Sequence, residues 1–370
     1  MKNPPVKRKI KKIERKEFSG IKGLVKPNVL ALKAYDAKGA PCRVKLDANE
    51  SPYPEPLNAR FFRSVKTNRY PDPLAEDLRK AFANRMLPAK LRDIGRVLHG
   101  NGSDELIYNL ICAFGGPVVY PSPTFTMYGK IAQALGEKDI AVPLGTDFEI
   151  DDEQVIKTFK KEKAKICFIS RPNNPTGNSF SEKKVLNIIE NVKGIVVVDE
   201  AYQPFSGKRS FLSRLDKYEN LAVLMTLSKV GLAALRVGFL IASPELINEV
   251  NKTRLPFNVN SFSQAIAVRA LEGKGLEEGI KKIVSERDRV FRELRKITGI
   301  TAYPSDANFI LFGAPDGGKE KIYRGTIRDG VLLRNLGSPS DGYLRVTIGT
   351  RKENDAFLRA IKKYGPLGGE

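Results

Sequence analysis

The stretch Leu221–Arg236, LAVLMTLSKVGLAALR, decides how the chain reads. Leu221 to Met225 is an apolar run of strand length that empties into Thr226, Ser228 and Lys229, followed by Gly231 and then Arg236. A lysine just past a buried strand, near hydroxyls and a guanidinium, suits a pocket for a phosphorylated cofactor. It also suits a solvated loop in a chain with 63 Lys and Arg. The remaining sequence has to separate the two.

Working outward, short apolar runs recur: Arg96–His99, Val118–Tyr120, Ile140–Val142, Ile166–Ser170, Ile195–Val198, Ala222–Met225 and Val237–Ile241. Helical patterns lie between several of them, including Phe125–Leu135 and Glu182–Asn191. A further helix is expected after Arg69-Tyr70-Pro71, with Asp72 as N-cap, Pro73 as first residue and an apolar stripe of Leu74, Leu78 and Phe82. Continuous, β-branched strands spaced by helices predict an α/β fold with a mostly parallel, roughly seven-stranded sheet covered on both faces. After Asn251 the texture changes. Ser261–Leu271 and the charged segment Leu276–Ile297 read as helices, the second long enough to bridge two domains. Asn308–Phe312, Val331–Arg334 and Tyr343–Ile348 read as a smaller α+β unit. The expected organisation is a basic tail over 1–26, an arm and part of the small domain over 27–54, a large domain over 55–274 and a small domain over 275–370.

Composition narrows the function. The hydrophobic fraction of 41% and charged fraction of 28% are ordinary for a globular chain of 370 residues. No apolar run reaches membrane-spanning length, so no membrane partner is expected. Cys42, Cys112 and Cys167 stand far apart without metal-ligand spacing, which suits reduced thiols in the cytoplasm. The single histidine, His99, reads as a structural strand-end residue; it leaves no histidine triad and no multi-histidine metal site, and no metal is expected. The net charge of +21 is unusual, and ten Lys/Arg fall within Lys2–Lys26. That tail lacks interleaved aromatics, so it reads as a solvated segment and no nucleic-acid partner is expected. The remaining surplus would attract anionic substrates.

Ligands of such sheets gather beyond the carboxyl ends of the strands. Those ends deliver Gly102-Ser103-Asp104, then Pro123-Thr124-Phe125, Asn173-Asn174-Pro175-Thr176-Gly177, Asp199-Glu200-Ala201-Tyr202 and Ser228-Lys229. One crevice would hold a phosphate turn, an aromatic ring, an amide, a carboxylate, a phenol and an amine. An aldehyde-bearing pyridine cofactor needs that set. The amine condenses with the aldehyde, the carboxylate keeps the ring nitrogen protonated, phenol and amide bond the ring oxygen, and the aromatic face stacks on the ring.

The motifs LDANESPY, RYPDP, GNGSDELI, SPTFTMY, RPNNPTGN, VVVDEAYQPF, TLSKVGLAALRVGF, PFNVNSFSQ, DANFIL and YLRVTIGTRKEN run in order from about Pro27 to Asn354. Together they resemble the fold-type I pyridoxal-phosphate aminotransferases and, within them, the histidinol-phosphate aminotransferases. The resemblance implies pyridoxal 5'-phosphate as cofactor, Lys229 as the lysine that carries it and Asp199 as the partner of its ring nitrogen. Tyr202 and Asn174 would bond the ring oxygen and Phe125 would stack. Ser103, Asp104, Ser228 and Arg236 would hold the phosphate. Tyr70 would reach the cofactor of a second subunit, which implies a homodimer with composite sites. Arg345 would grip the carboxylate of glutamate, and Arg334, Tyr35 and Asn308 would surround the substrate's phosphate or carboxylate. Glu50 and Tyr53 would shape the domain-closure loop.

Two departures stand out. The family's lysine motif places its arginine eight positions after the lysine, whereas Arg236 lies seven after Lys229. LKAYDAKG also replaces the usual segment around Tyr35. The expected reaction is ping-pong transamination between glutamate and imidazole-acetol phosphate in histidine synthesis. Alternatives are an aromatic or broad-specificity aminotransferase, a threonine-phosphate decarboxylase of cobalamin synthesis, and a catalytically idle nucleic-acid-binding relative. The retained Lys229, Asp199 and Tyr202 argue against the last.

Overall fold

The computed structural model describes residues 25–32, 40–54, 65–314 and 318–365. Seven strands form the larger sheet: β2 (Val97–Asn101), β3 (Val118–Ser122), β4 (Asp139–Pro143), β5 (Ile166–Ser170), β6 (Ile195–Asp199), β7 (Leu221–Thr226) and β8 (Val237–Ile241), in the order β2-β8-β7-β6-β5-β3-β4. Only β8 runs against the others. The expected α/β fold with a mostly parallel sheet is what the chain adopts.

Alternation along each strand divides the core. Leu221, Val223 and Met225 of β7 join a cluster with Phe82, Phe159, Val185 and Ile188 on one face. Ala222 and Leu224 point the other way, toward Leu106, Leu110, Tyr128, Ile131 and Ile247. Every residue of β5, β7 and β8 is buried, as covering both faces requires.

The smaller sheet has the order β1-β11-β12-β10-β9, made from β1 (Val44–Leu46), β9 (Thr301–Ala302), β10 (Phe309–Gly313), β11 (Val331–Asn335) and β12 (Tyr343–Thr347). β1 pairs in parallel with β11, so the segment before Tyr53 belongs to the C-terminal sheet. The sequence reading puts this segment partly in the small domain but gives it no strand, since a three-residue strand with a partner nearly 300 positions away has no local signature. The long helix Gly275–Leu294 touches the turns at Gln203–Phe205 and Ser228–Leu232 on one side and β9 and β10 on the other.

The expected helix after Tyr70 begins later than its turn chemistry suggested. Asp72 does accept the N–H groups of Leu74 and Glu76, but Ala75 has φ 44° and the helix runs Glu76–Met86. Leu74 is therefore exposed and outside the apolar stripe, which retains Leu78 and Phe82.

Candidate active site

Parallel strands put their carboxyl ends on one edge, and β8, running the other way, starts there. Arg236, the residue before β8, consequently meets the loops that follow β2 and β7. The Ser228–Leu232 turn is distorted at Val230 and at Gly231, whose φ is 110°. A Cβ on Gly231 would lie 2.5 Å from the Tyr53 carbonyl, so the tight turn needs glycine twice over. Arg236 itself takes a left-handed φ of 53°. Its guanidinium donates to Ser228 Oγ at 3.3 Å and to Asp104 Oδ2 at 3.2 Å. Although Arg236 lies only seven positions after Lys229, its guanidinium faces the strand–helix turn.

That turn forms an anion cradle. Ser103 and Asp104 open the helix Ser103–Phe114, which lacks any side-chain cap. First-turn N–H groups have no partner within a helix and carry the positive end of its dipole. Gly102 has φ 83°, and a Cβ there would lie 2.4 Å from Arg236 Nη2. A Cβ on Gly238 would lie 2.7 Å from Ser103 N. Two glycines keep open the space in which N–H groups, Ser228 and Arg236 converge.

Ser103, Asp104, Phe125, Asn174, Asp199, Tyr202, Ser228, Lys229 and Arg236 line one chamber of about 470 Å3, together with Ser170, Ala201 and Thr226. Phe125, Asn174, Tyr202 and Lys229 also line a second chamber of about 1260 Å3, walled by Lys45–Glu50, Arg334–Ser340 and Arg345. These four residues mark the passage between the two. Lys229 Nζ is 3.4 Å from the Ala48 carbonyl and 5.8 Å from the centre of the Tyr202 ring.

Asp199 is buried. Its Oδ2 accepts from Tyr128 Oη at 2.7 Å and its Oδ1 from Ala201 N–H at 3.0 Å. Loss of solvent pushes its carboxyl up to about 6, opposed by these two hydrogen bonds and by Lys229. Neighbouring Glu200 is pushed up to about 7 by burial and accepts from Ser210 Oγ and Phe211 N–H, away from the chamber. Of these two neighbouring carboxyls, Asp199 is the one that lines the inner chamber. The donor set suits pyridoxal phosphate: the glycine-lined cradle would take its phosphate, Asp199 could hold a protonated ring nitrogen and Lys229 could reach the aldehyde.

Arg345 is 7% exposed; it donates to Asn174 Oδ1 and to the Asp47 carbonyl, and its guanidinium lies over the Phe309 ring. Arg334 pairs with it in register across β11 and β12, and its side chain makes no hydrogen bond or ion pair among the described residues.

Other expected residues fall elsewhere. Asn308 lines neither chamber; it is wholly buried and donates to the Asn49 carbonyl behind the wall. Tyr70 is 81% exposed, stacked on Phe257 at 4.6 Å and away from this chain's own chambers. Tyr35 lies outside the described residues. His99 is buried on edge strand β2, where desolvation and the nearby Arg254 and Arg79 hold it down at about 4. Tyr128 and Asn49 were missed. Both sit inside motifs visible in the sequence, but nothing in the spacing says that one faces Asp199 and the other Tyr202.

Comparison with known proteins agrees with this geometry. The profile of aminotransferase class I and II matches residues 27–361. The chain is 43% identical to histidinol-phosphate aminotransferase 2 of Nitrosococcus oceani, over 91% of this chain and 96% of that one. It is 41% identical to the histidinol-phosphate aminotransferase of Aquifex aeolicus, over 92% and 98%. In fold it matches the histidinol-phosphate aminotransferase of Sinorhizobium meliloti, solved with pyridoxal-5'-phosphate, with a TM-score of 0.82, 23% identity and coverage of 94% and 98%. Family membership brings pyridoxal phosphate as the cofactor. The chain belongs to the class I and II aminotransferases.

Proposed function

We propose that this protein moves the amino group of L-glutamate to imidazole-acetol phosphate, giving 2-oxoglutarate and L-histidinol phosphate. The carrying observation is the cross-strand pair Arg334 and Arg345 on the outer chamber. Like charges placed opposite on adjacent strands repel, and a doubly charged phosphate or a carboxylate between them relieves the repulsion. Both substrates are anionic, one through a phosphate and one through carboxylates, so one pair of guanidiniums serves each in turn. The names of the Nitrosococcus and Aquifex relatives support histidinol phosphate as the phosphorylated partner.

When bound, pyridoxal phosphate supplies a ring that accepts electrons from the amino-bearing carbon. The chain's residues set the conditions. Asp199 would hold the ring nitrogen's proton. Tyr202 and Asn174 would bond the ring oxygen, Phe125 would cover the ring, and the cradle with Ser228 and Arg236 would hold the phosphate. Lys229, at the passage between the chambers, moves the proton on the substrate carbon.

We assign the five-stranded sheet to a small domain, built from residues 27–54 and 275–370, that closes on the large domain of residues 55–274. The working form is a homodimer. Exposed Tyr70, Leu255 and Phe257 offer an apolar surface for a second copy and would put Tyr70 at that copy's site. The setting is cytoplasmic, in keeping with three free cysteines. No described helix is long and apolar enough to cross a membrane.

The deciding experiment is a half-reaction screen. Loaded enzyme is mixed with single amines and the cofactor's visible band is followed. Rapid bleaching by histidinol phosphate and glutamate, with little by phenylalanine, is expected. Release of carbon dioxide from threonine phosphate would overturn the reading. Mixing inactive Tyr70→Phe and Lys229→Ala chains tests composite sites, since mixed dimers regain one intact site.

A further inference from the structure

Asn49 lines the outer chamber beside the expected cofactor contacts. It is 1% exposed and holds a left-handed φ of 54°, a conformation that asparagine tolerates. Its N–H donates to Thr347 Oγ1 at 2.9 Å and its carbonyl accepts from Asn308 Nδ2 at 3.1 Å. Both partners belong to the small-sheet side. Its side chain reaches the other way, and Nδ2 donates to Tyr202 Oη at 3.0 Å.

The direction of that bond follows from Thr347. Its hydroxyl oxygen already accepts the Asn49 N–H, and its own buried proton goes to Asn49 Oδ1 at 3.1 Å. The amide oxygen is thereby committed to Thr347, which leaves the NH2 group for Tyr202. A phenol oxygen that accepts there keeps its own proton free for the chamber. Edge-on packing against Phe309, with ring centres 5.1 Å apart, holds the Tyr202 ring in place.

We infer that Asn49 is a positioning residue that orients the Tyr202 hydroxyl proton toward the ring oxygen of the cofactor and ties that orientation to the small sheet through Thr347. The inference rests on the reading of Tyr202 as a donor to the cofactor. A donor to that oxygen favours its anionic form and lowers the pH at which the bound cofactor's visible band titrates. The charged groups lining the chambers on either side of this contact are Asp104, Asp199, Lys229 and Arg236 on the inner side and Lys45, Asp47, Glu50, Arg334 and Arg345 on the outer side.

The test measures that titration midpoint in loaded protein. Tyr202→Phe alone is expected to raise the midpoint by about one pH unit; no rise would remove the premise about Tyr202. Asn49→Asp keeps the backbone conformation but offers Tyr202 an acceptor, so the phenol proton turns away and the midpoint rises similarly. In the Tyr202→Phe background, Asn49→Asp should add little. A full, additive rise there would mean that the new charge acts directly, and would overturn the inference. Asn49→Gly, which also tolerates the left-handed backbone, should raise the midpoint less than Asn49→Asp. If Tyr202→Phe shifts the midpoint while Asn49→Asp leaves it unmoved, Asn49 has no part in orienting the proton.

Discussion

Tyr128 donates a 2.7 Å hydrogen bond to Asp199 from a position with no solvent exposure. Its ring is stacked on Phe168 at 4.7 Å and meets Phe125 edge-on at 5.5 Å, so the same residue braces the carboxylate and the aromatic lid. Burial and the adjacent carboxylate push the phenol well above its ordinary range, and it stays a donor at every working pH. Tyr128→Phe leaves a buried carboxylate oxygen unpaired, at a cost of about 1–3 kcal/mol. Urea unfolding should show that loss, and the cofactor dissociation constant should rise about tenfold. Unchanged cofactor affinity would refute the bracing role.

Asp199 and Glu200 predict a pH effect on the cofactor-free protein. Both carboxyls lie above their ordinary values when folded, at about 6 and about 7. Their stabilising contribution is therefore complete below about pH 4 and is lost as pH rises through 6 and 7. The lost contribution of Glu200 is on the order of 3 kcal/mol. Glu200→Gln keeps the neutral shape, so its melting temperature relative to the parent should increase between pH 5 and pH 8. Because parent and variant share nearly all of the +21 background charge, their difference isolates the group. A flat difference across that range contradicts the assignment.

The cradle can be tested from its empty side. In Gly102→Ala the new methyl meets the end of the Arg236 side chain, which has room to swing away. Backbone strain at φ 83° and ψ 169°, a region nearly reserved for glycine, adds about 1–3 kcal/mol. Cofactor affinity should fall at least tenfold, and Arg236→Gln should fall similarly. Since the first change acts largely by moving Arg236, the double variant should lose little more than either single one. Independent, additive losses would show that the guanidinium does not serve the cradle.

Arg334 and Arg345 should separate kinetically. Arg345→Lys keeps a charge but loses the forked contacts to Asn174 and the Asp47 carbonyl, so the KM for glutamate should rise at least tenfold. Arg334→Ala should raise KM chiefly for the phosphorylated substrate. It should leave the stability of the substrate-free protein unchanged or improved, because an unpaired like charge is removed. A drop in thermal stability on Arg334→Ala would count against an anion site.

Much of the site could be read from the chain because it is built from strand ends. Parallel strands repeat one local rule, an apolar run followed by a polar turn, so Ser103, Phe125, Asn174, Asp199, Tyr202 and Lys229 announced themselves by position. Arg236 needed the structure, since only the left-handed backbone at Gly231 and Arg236 shows how this loop turns the guanidinium toward Ser228 and Asp104. Asn308 looked like a chamber residue from its motif, yet it supports Asn49 from behind. Sequence position fixes which strand carries a side chain, and packing fixes what it touches.

Taken alone, the amino-acid order determined the seven apolar strands, the helices between them and the turns at their carboxyl ends. These follow from hydrophobic period and backbone chemistry within a few residues. Tertiary structure decided the rest: β1 joining a sheet from the far end of the chain, Arg334 facing Arg345, Tyr128 beneath Asp199 and Asn49 against Tyr202. Each depends on register or on side-chain direction between segments distant in sequence, and local propensity carries no information about either.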